Sequence, residues 1–203
     1  MSNIRKKNQK LWSHLLKELE DFEVQAGWFE NTRYDTGTPV AKIAATQNYG
    51  AEINNPGGQP YIIDSNTKLA VFVDKDIPFS ENLPRTKPHK IVIPPRPFMD
   101  NAKKRIQGQE GQRMIIQEIL RVFEGRQTMI SATERLGAWM QGIIQEEIKA
   151  ITAPPLKAST IRQRNNQYKS KSKNKSTKPL NASGLMFSTV QHKSGKKGSL
   201  NDT

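Results

Sequence analysis

Histidine is the residue type of this chain best suited to metal binding or proton transfer, because neutral imidazole is a common metal ligand and titrates near neutral pH. The chain has three histidines, His14, His89 and His192. They lie in an amphipathic stretch, a proline-flanked loop and a basic tail, and none is followed by a second histidine at i+2 to i+4. Metal sites on one helix or hairpin use that spacing. We therefore expect no metal site.

Paired carboxylates could serve as an acid and a base. The chain has two such pairs, Asp74 with Asp76 and Glu146 with Glu147. Lysines lie within or beside both pairs, as is typical of a solvated surface. We interpret both pairs as surface charge.

Two further motifs match known functional motifs in residue type and spacing, but not in their sequence context. Ser170 and Lys173 have the spacing of a Ser-x-x-Lys nucleophile, but the polar, low-complexity sequence around them lacks the rigid support that a nucleophile needs. Gly57 and Gly58 follow Pro56, so they predict a turn rather than a phosphate-binding loop. Cysteine is absent, which excludes disulfides and thiolate chemistry. The sequence predicts a protein that is not an enzyme and has no cofactor.

Length and composition limit the classes of protein to which this chain could belong. At 203 residues the chain suits one domain with tails, and its hydrophobic fraction of 34% is low for a self-contained core. No run approaches the roughly 18 apolar residues of a membrane span. The first ten residues, MSNIRKKNQK, lack the apolar segment of a signal peptide. We expect a protein made in the cytoplasm, with no membrane partner.

The net charge of +13 is concentrated near the end of the chain. Between Lys157 and Lys197 there are 11 Lys or Arg residues and no Asp or Glu. Residues 163–178, QRNNQYKSKSKNKSTK, have no aliphatic side chain, so we predict a flexible basic loop over 157–178. It could be a solvated tail, order against acidic neighbouring subunits, or contact DNA phosphates. The residues that could lie near nucleic acid are Arg162, Arg164, Lys169, Lys171, Lys173, Lys175 and Lys178.

Hydrophobic periodicity predicts the first half of the fold. Leu11, Trp12, Leu15, Leu16 and Leu19 share one stripe of an expected helix over residues 7–20. Further predictions are a half-buried strand over 22–29, a helix over 40–47 ended by Gly50, a hairpin from strands 61–63 and 69–73, and a strand over 90–93.

In the second half of the chain, prolines separate the first predicted helix from the strand before it. Pro94, Pro95 and Pro97 forbid strand pairing and predict an extended corner, with Pro97 at the first position of a helix. A second helix should end after Phe123, and a third should begin at Ser131 with a Ser-x-x-Glu capping box. A short helix over 158–164 and a turn with a last strand within 180–190 complete the prediction.

These elements predict an α+β fold: a small, mostly antiparallel sheet with a long hairpin, packed on several helices, plus a basic flexible loop and a C-terminal tail. We expect an α+β core with the N-terminal helix and the hairpin over residues 1–156, the basic loop over 157–178, and the C-terminal strand and tail over 179–203.

Aromatic residues and Arg are favoured at protein interfaces, which makes the turn, the proline corner and the hairpin candidate contact sites. Phe98 and Tyr49 could instead be core residues. Arg96, between prolines, is expected to be an exposed anchor. The candidate partner-binding residues are Tyr49, Tyr61, Phe72, Pro94, Arg96 and Phe98.

Five blocks of sequence carry a family resemblance. They are QNYGAE from Gln47, NPGGQPYII from Asn55, AVFVDKD from Ala70, TKPHKIVIPPRPFM from Thr86, and KPLNASGLMFSTV from Lys178. In this order they resemble the virion-morphogenesis or tail-completion proteins of tailed bacteriophages. The family has Thr-Gly before the last Leu, whereas this chain has Ser183-Gly184, and Ser can replace Thr in such a turn.

The resemblance implies a structural virion protein of the phage neck or upper tail, made in the host cytoplasm. Such a subunit would form a homo-oligomeric ring and join the connector or stopper to the tail terminator or tube, with possible contact to packaged DNA. The alternatives are a nucleic-acid-binding accessory protein that uses residues 157–178, and a morphogenesis chaperone that is absent from the finished particle.

Overall fold

The computed structural model describes residues 12–14, 16–29, 32–66, 68, 70–74, 81–165 and 176–201. They divide into two compact units. The main unit comprises Met1–Tyr49 and Pro95–Thr203, and Gly50–Pro94 form a second unit that we call the β insert.

The main unit contains most of the helices and one antiparallel strand pair, β1 with β6. Helix α1 is described at residues 12–14 and 16–20. The other elements are β1 (Phe22–Gly27), α2 (Val40–Tyr49), α3 (Phe98–Gln107), α4 (Gln109–Phe123), α5 (Met129–Ala150), α6 (Ala158–Asn165), α7 (Leu185–Ser188) and β6 (Gln191–Lys196). A 3-10 turn follows at Ser199–Asn201.

The β insert contains two antiparallel strand pairs. Strand β2 (Ala51–Asn55) pairs with β5 (His89–Ile93), and β3 (Tyr61–Ile63) pairs with β4 (Ala70–Phe72) as the expected hairpin. Gly57, at φ 76°, forms the predicted turn, and its N–H donates to Asn55 Oδ1 at 2.8 Å. The α+β class is confirmed, with the described strands distributed over three two-stranded sheets rather than one.

Helix α5 organises the main unit, because it contacts α3, α4, β1 and β6. Ile143, Ile144 and Ile148 lie in the apolar core, as the periodicity of this stretch predicted. The helix begins earlier than expected. Thr128 is its N-cap and accepts a hydrogen bond from the Ser131 N–H at 3.2 Å, so the predicted capping box at Ser131 is wrong.

The C-terminal strand also lies later in the sequence than predicted. Residues 180–190 contain the short helix α7, which follows Gly184 at φ 77°, and β6 begins only at Gln191. Helix α7 is bound to the residue that follows β1, because Trp28 Nε1 donates to Met186 O at 2.9 Å. Strand β6 is polar, so hydrophobic alternation gave no signal for it.

Helix α1 is confirmed where it is described, but Trp12 and Leu16 of its predicted apolar stripe are exposed. The ring of Trp12 stacks on that of Phe123 at 4.4 Å. The predicted helical residues 7–11 and Leu15 lie outside the described residues.

Close packing of β6 on α5 depends on Gly137. A Cβ atom at this position would lie 2.5 Å from Cδ2 of His192. The His192 ring is itself fixed, since its nitrogens lie 2.7 Å from Gln141 Oε1 and 3.3 Å from Glu134 Oε2. Any side chain at 137 must therefore displace an anchored ring.

We predict that Gly137→Ala lowers the free energy of unfolding by about 1–3 kcal/mol, because the added methyl group overpacks the seam between α5 and β6. Gly142→Ala, in the same helix with no atom within 4 Å of the added Cβ, is the matched control and should stabilise by about 0.5–1 kcal/mol. Urea unfolding of both variants is the measurement. Equal stability of the two would show that the His192 contact does not constrain the seam.

Candidate partner-binding site

Two sequence blocks that carry the family resemblance meet in the main unit, where Gln47 binds the proline corner. The Arg96 N–H donates to Gln47 O at 2.8 Å, and Arg96 Nη1 donates to Gln47 Oε1 at 3.0 Å. On its other edge the guanidinium donates from Nε and Nη2 to Pro154 O at 3.3 and 3.2 Å. Arg96 thus joins the end of α2 to the segment that follows α5.

Asn48 caps a helix to which it does not belong. Its Oδ1 accepts from the Met99 N–H at 2.9 Å and its Nδ2 donates to Asp100 Oδ2 at 3.0 Å. Pro97 occupies the N-cap of α3 rather than the predicted first helical position, and makes no side-chain capping bond. Asn48, fully buried, satisfies an otherwise unpaired donor of the first turn.

The expectation that Arg96 is an exposed anchor is wrong. Its side chain packs inward onto carbonyl oxygens, and the residue is 5% exposed. Burial lowers the pKa of Arg96, and the charge of Arg164 lowers that pKa further. Phe98 is 0% exposed and meets Trp28 edge to face at 6.0 Å. Neither side chain offers surface to a partner, and Phe98 has the core role that the sequence left open.

The remaining four candidates differ in exposure. Tyr49, in the main unit, is 71% exposed, so it is not a core residue. Phe72 is exposed, and Tyr61 and Pro94 are half-buried. These three belong to the β insert, where Tyr61 lies opposite Phe72 in the hairpin.

The β2–β5 pair of the insert presents an apolar face. Ile53 lies opposite Ile91, and Ala51 lies opposite Ile93, so the four side chains share one side of the ribbon. Ile53 and Ile91 are exposed. The opposite side is mixed, because Lys90 Nζ pairs with Glu52 Oε2 at 2.5 Å beside the exposed Val92.

The β3–β4 hairpin is apolar on both sides. Ile63 and Phe72 lie on one side and Ile62 on the other, and all three are exposed, Ile63 by 64%. A two-stranded sheet with apolar side chains on both faces normally packs against something else. These exposed side chains form the candidate partner-binding site, and we call them the insert surface: Ile53, Ile62, Ile63, Phe72, Ile91 and Val92.

Of this set, only Phe72 was predicted from the sequence as a partner-binding residue. A signal for the others was present, since YII and KIVI place apolar residues at consecutive positions and so on both faces of a strand. Such strands are usually covered on both sides, whereas these belong to two-stranded sheets.

Of the predicted basic residues, the structure describes the side chains of Arg164 and Lys178. Arg164 Nη1 donates to Ser176 O and Lys178 O, both at 2.9 Å, so this side chain fixes the far end of the basic segment. Burial lowers the pKa of Arg164. Lys178 is exposed. Arg162 lies in α6, and Lys169, Lys171, Lys173 and Lys175 lie outside the described residues.

The acidic pair Glu146 and Glu147 is not simple surface charge. Arg105 Nη1 donates to Glu146 Oε2 and Glu147 Oε1, both at 3.0 Å, while its Nε and Nη2 bind Glu110. The sequence interpretation missed this partner, which lies about forty residues earlier in the chain.

Within the described part of the chain, no group of three or more His, Asp or Glu side chains is placed to hold a metal ion. No described helix is long and apolar enough to cross a membrane. The chain matches no protein-family model, no curated protein and no solved structure.

We predict that Asn48→Ala lowers the free energy of unfolding by about 1–3 kcal/mol, since it leaves the Met99 N–H and an oxygen of the half-buried Asp100 carboxylate without this partner. Thr46→Ala is the control, because Thr46 Oγ1 donates to Lys42 O of its own helix at 2.9 Å and caps no other helix among the described residues. Thermal unfolding monitored by circular dichroism is the measurement. Equal melting temperatures for the two variants would contradict the capping role of Asn48.

Proposed function

We propose that this chain is a structural protein of a tailed-phage virion, a ring-forming subunit of the neck or upper tail. It would link the connector or stopper to the tail terminator or tube through contacts between folded surfaces. The proposal draws on the resemblance of the five sequence blocks and on one structural observation, the insert surface.

The insert surface supports assembly because its apolar side chains are exposed. Ile53, Ile91 and Val92 on one strand pair, and Ile63 and Phe72 on the other, are exposed at the same time. Isolated apolar residues are ordinary on a protein surface, but several exposed apolar residues on two short sheets favour a binding role.

Two-stranded sheets also have free edges that another chain could extend. Within the described residues, β2 and β5 pair only with each other, so each has an edge that could accept a further strand. Contact between the insert surface of one subunit and a different surface of the next would be heterologous. Such contacts close into a ring when the rotation between subunits permits it.

The basic segment supports a second proposal, contact with nucleic acid. Eleven Lys or Arg residues without an acidic neighbour, from Lys157 to Lys197, would bind phosphates in a salt-dependent way. In a neck this segment could face the packaged DNA. Alone, it would suit a nucleic-acid-binding accessory protein.

Virion location can be tested directly on nuclease-treated particles of the phage that encodes the chain, separated into full virions, tailless heads and free tails. We predict that quantitative mass spectrometry finds the chain in full virions at a fixed copy number. Its absence from every fraction, with retention on DNA at physiological salt, would favour the accessory protein. Absence from particles and from DNA would favour the morphogenesis chaperone.

The role of the insert surface is tested by Ile63→Lys. A charge at this exposed position should leave the subunit folded but reduce its incorporation into particles at least tenfold, because a lysine would have to be desolvated at the contact. Ile130→Lys is the matched control, since Ile130 is 65% exposed and lies in the main unit. Incorporation is measured by complementation of a phage lacking the gene. Equal incorporation of both variants would remove the insert surface from the proposal.

A further inference from the structure

A small cavity in the main unit has the chemistry of an anion site. Its volume is about 80 Å³, and its lining includes Tyr34, Gln47, Arg164 and Ser183. On this measure a cavity needs about 10–15 Å³ to hold one water molecule, so there is room here for a group of several heavy atoms. None of its lining residues is acidic.

The free polar groups of this lining are hydrogen-bond donors. Arg164 uses Nη1 for backbone carbonyls, and within the described residues its Nε and Nη2 have no acceptor. Gln47 commits Oε1 to Arg96, which leaves its Nε2 hydrogens. Ser183 Oγ accepts from the Leu185 N–H at 3.2 Å and keeps its own hydrogen. The Tyr34 hydroxyl adds a fourth donor.

Arg164, which lines the cavity, has a second guanidinium nearby, that of Arg96. Arg96 and Arg164 are close enough for the charge of Arg164 to lower the pKa of Arg96. The acceptors of both guanidiniums are neutral oxygens, of Gln47 and Pro154 for Arg96 and of Ser176, Lys178 and Asn181 for Arg164. Among the described residues neither forms an ion pair.

Two other groups of charged side chains in the main unit form ion pairs. The fully buried carboxylate of Glu118 lies 2.7 Å from Arg121 Nη1 and 3.2 Å from Arg135 Nε. Arg105 binds three carboxylates. A desolvated cation is unfavourable unless it is paired, so the two unpaired guanidiniums favour an external anion.

We propose that the cavity lined by Tyr34, Gln47, Arg164 and Ser183 binds a phosphate group, either inorganic phosphate or a phosphate of a nucleic acid. Guanidinium and hydroxyl donors match the several acceptor oxygens of a tetrahedral oxyanion. The volume admits one such group. This inference does not depend on the proposed virion function.

The test is isothermal titration calorimetry of the full chain with inorganic phosphate, at constant ionic strength maintained with chloride. We expect saturable binding at one site. Tyr34→Phe and Ser183→Ala should each weaken it about 3- to 10-fold, the worth of one hydrogen bond. Arg164 is left unchanged because its carbonyl bonds hold the adjacent chain. Ser188→Ala is the control, since Ser188 bonds to Leu185 O and does not line the cavity.

The absence of saturable binding would overturn the proposal, as would equal affinity of wild type, Tyr34→Phe and Ser183→Ala. The source of the phosphate follows from competition by short DNA oligonucleotides. Displacement of inorganic phosphate by DNA in wild type, weakened in Tyr34→Phe, supports the site with nucleic acid as the source. Saturable phosphate binding that DNA does not displace supports the same site with free phosphate as the source.

Discussion

The fold of the main unit depends on the hydrogen bonds that Gln47 and Asn48 make with the chain from Arg96 to Asp100. They connect the last turn of α2 to the first turn of α3 across the two chain segments that flank the β insert in sequence. An insertion of about forty-five residues between two helices costs little in loop entropy when its ends are fixed together, because that cost grows only with the logarithm of the length. Side-chain amides suit this junction, since each supplies a donor and an acceptor.

In this protein a charged residue, Arg96, is buried, while several isoleucines of the β insert are exposed. Arg96 is buried because the prolines around it fix the backbone, and its planar guanidinium reaches the carbonyl oxygen of Pro154 from two nitrogens while a third binds Gln47. Lysine could not span these acceptors. Ile53, Ile62, Ile63 and Ile91 of the insert lie on two-stranded sheets and outside the apolar core of the described residues, and they are exposed. A polar side chain thus stabilises the interior, while the apolar ones remain available for contact.

Local patterns in the sequence predicted α5, the hairpin of β3 and β4, and the strand before the proline corner, because each has a periodic or proline-bounded signature. They did not predict the burial of Arg96, which depends on a carbonyl 58 residues away. Strand β6, QHKSGK, has no apolar periodicity and is defined by pairing with β1 and by the space above Gly137. The insert surface was missed because apolar runs predict strands but not how many strands share a sheet. Each of these three features depends on contacts between residues that are distant in sequence.

The distribution of the apolar core bears on when the insert becomes stable. The core cluster is built from residues such as Val40, Phe98 and Ile144, and no described residue of the β insert belongs to it. The insert is held by backbone hydrogen bonds, including Gly58 N–H to Thr86 O at 2.8 Å and Tyr61 N–H to Pro84 O at 3.0 Å. Hydrogen bonds exchanged with water stabilise only modestly, so this unit should open more readily than the main unit. A partner that covered the exposed isoleucines of the insert would add a hydrophobic contribution to the stability of this unit. Binding and folding of the insert would then be linked, and assembly would select the paired form of its strands.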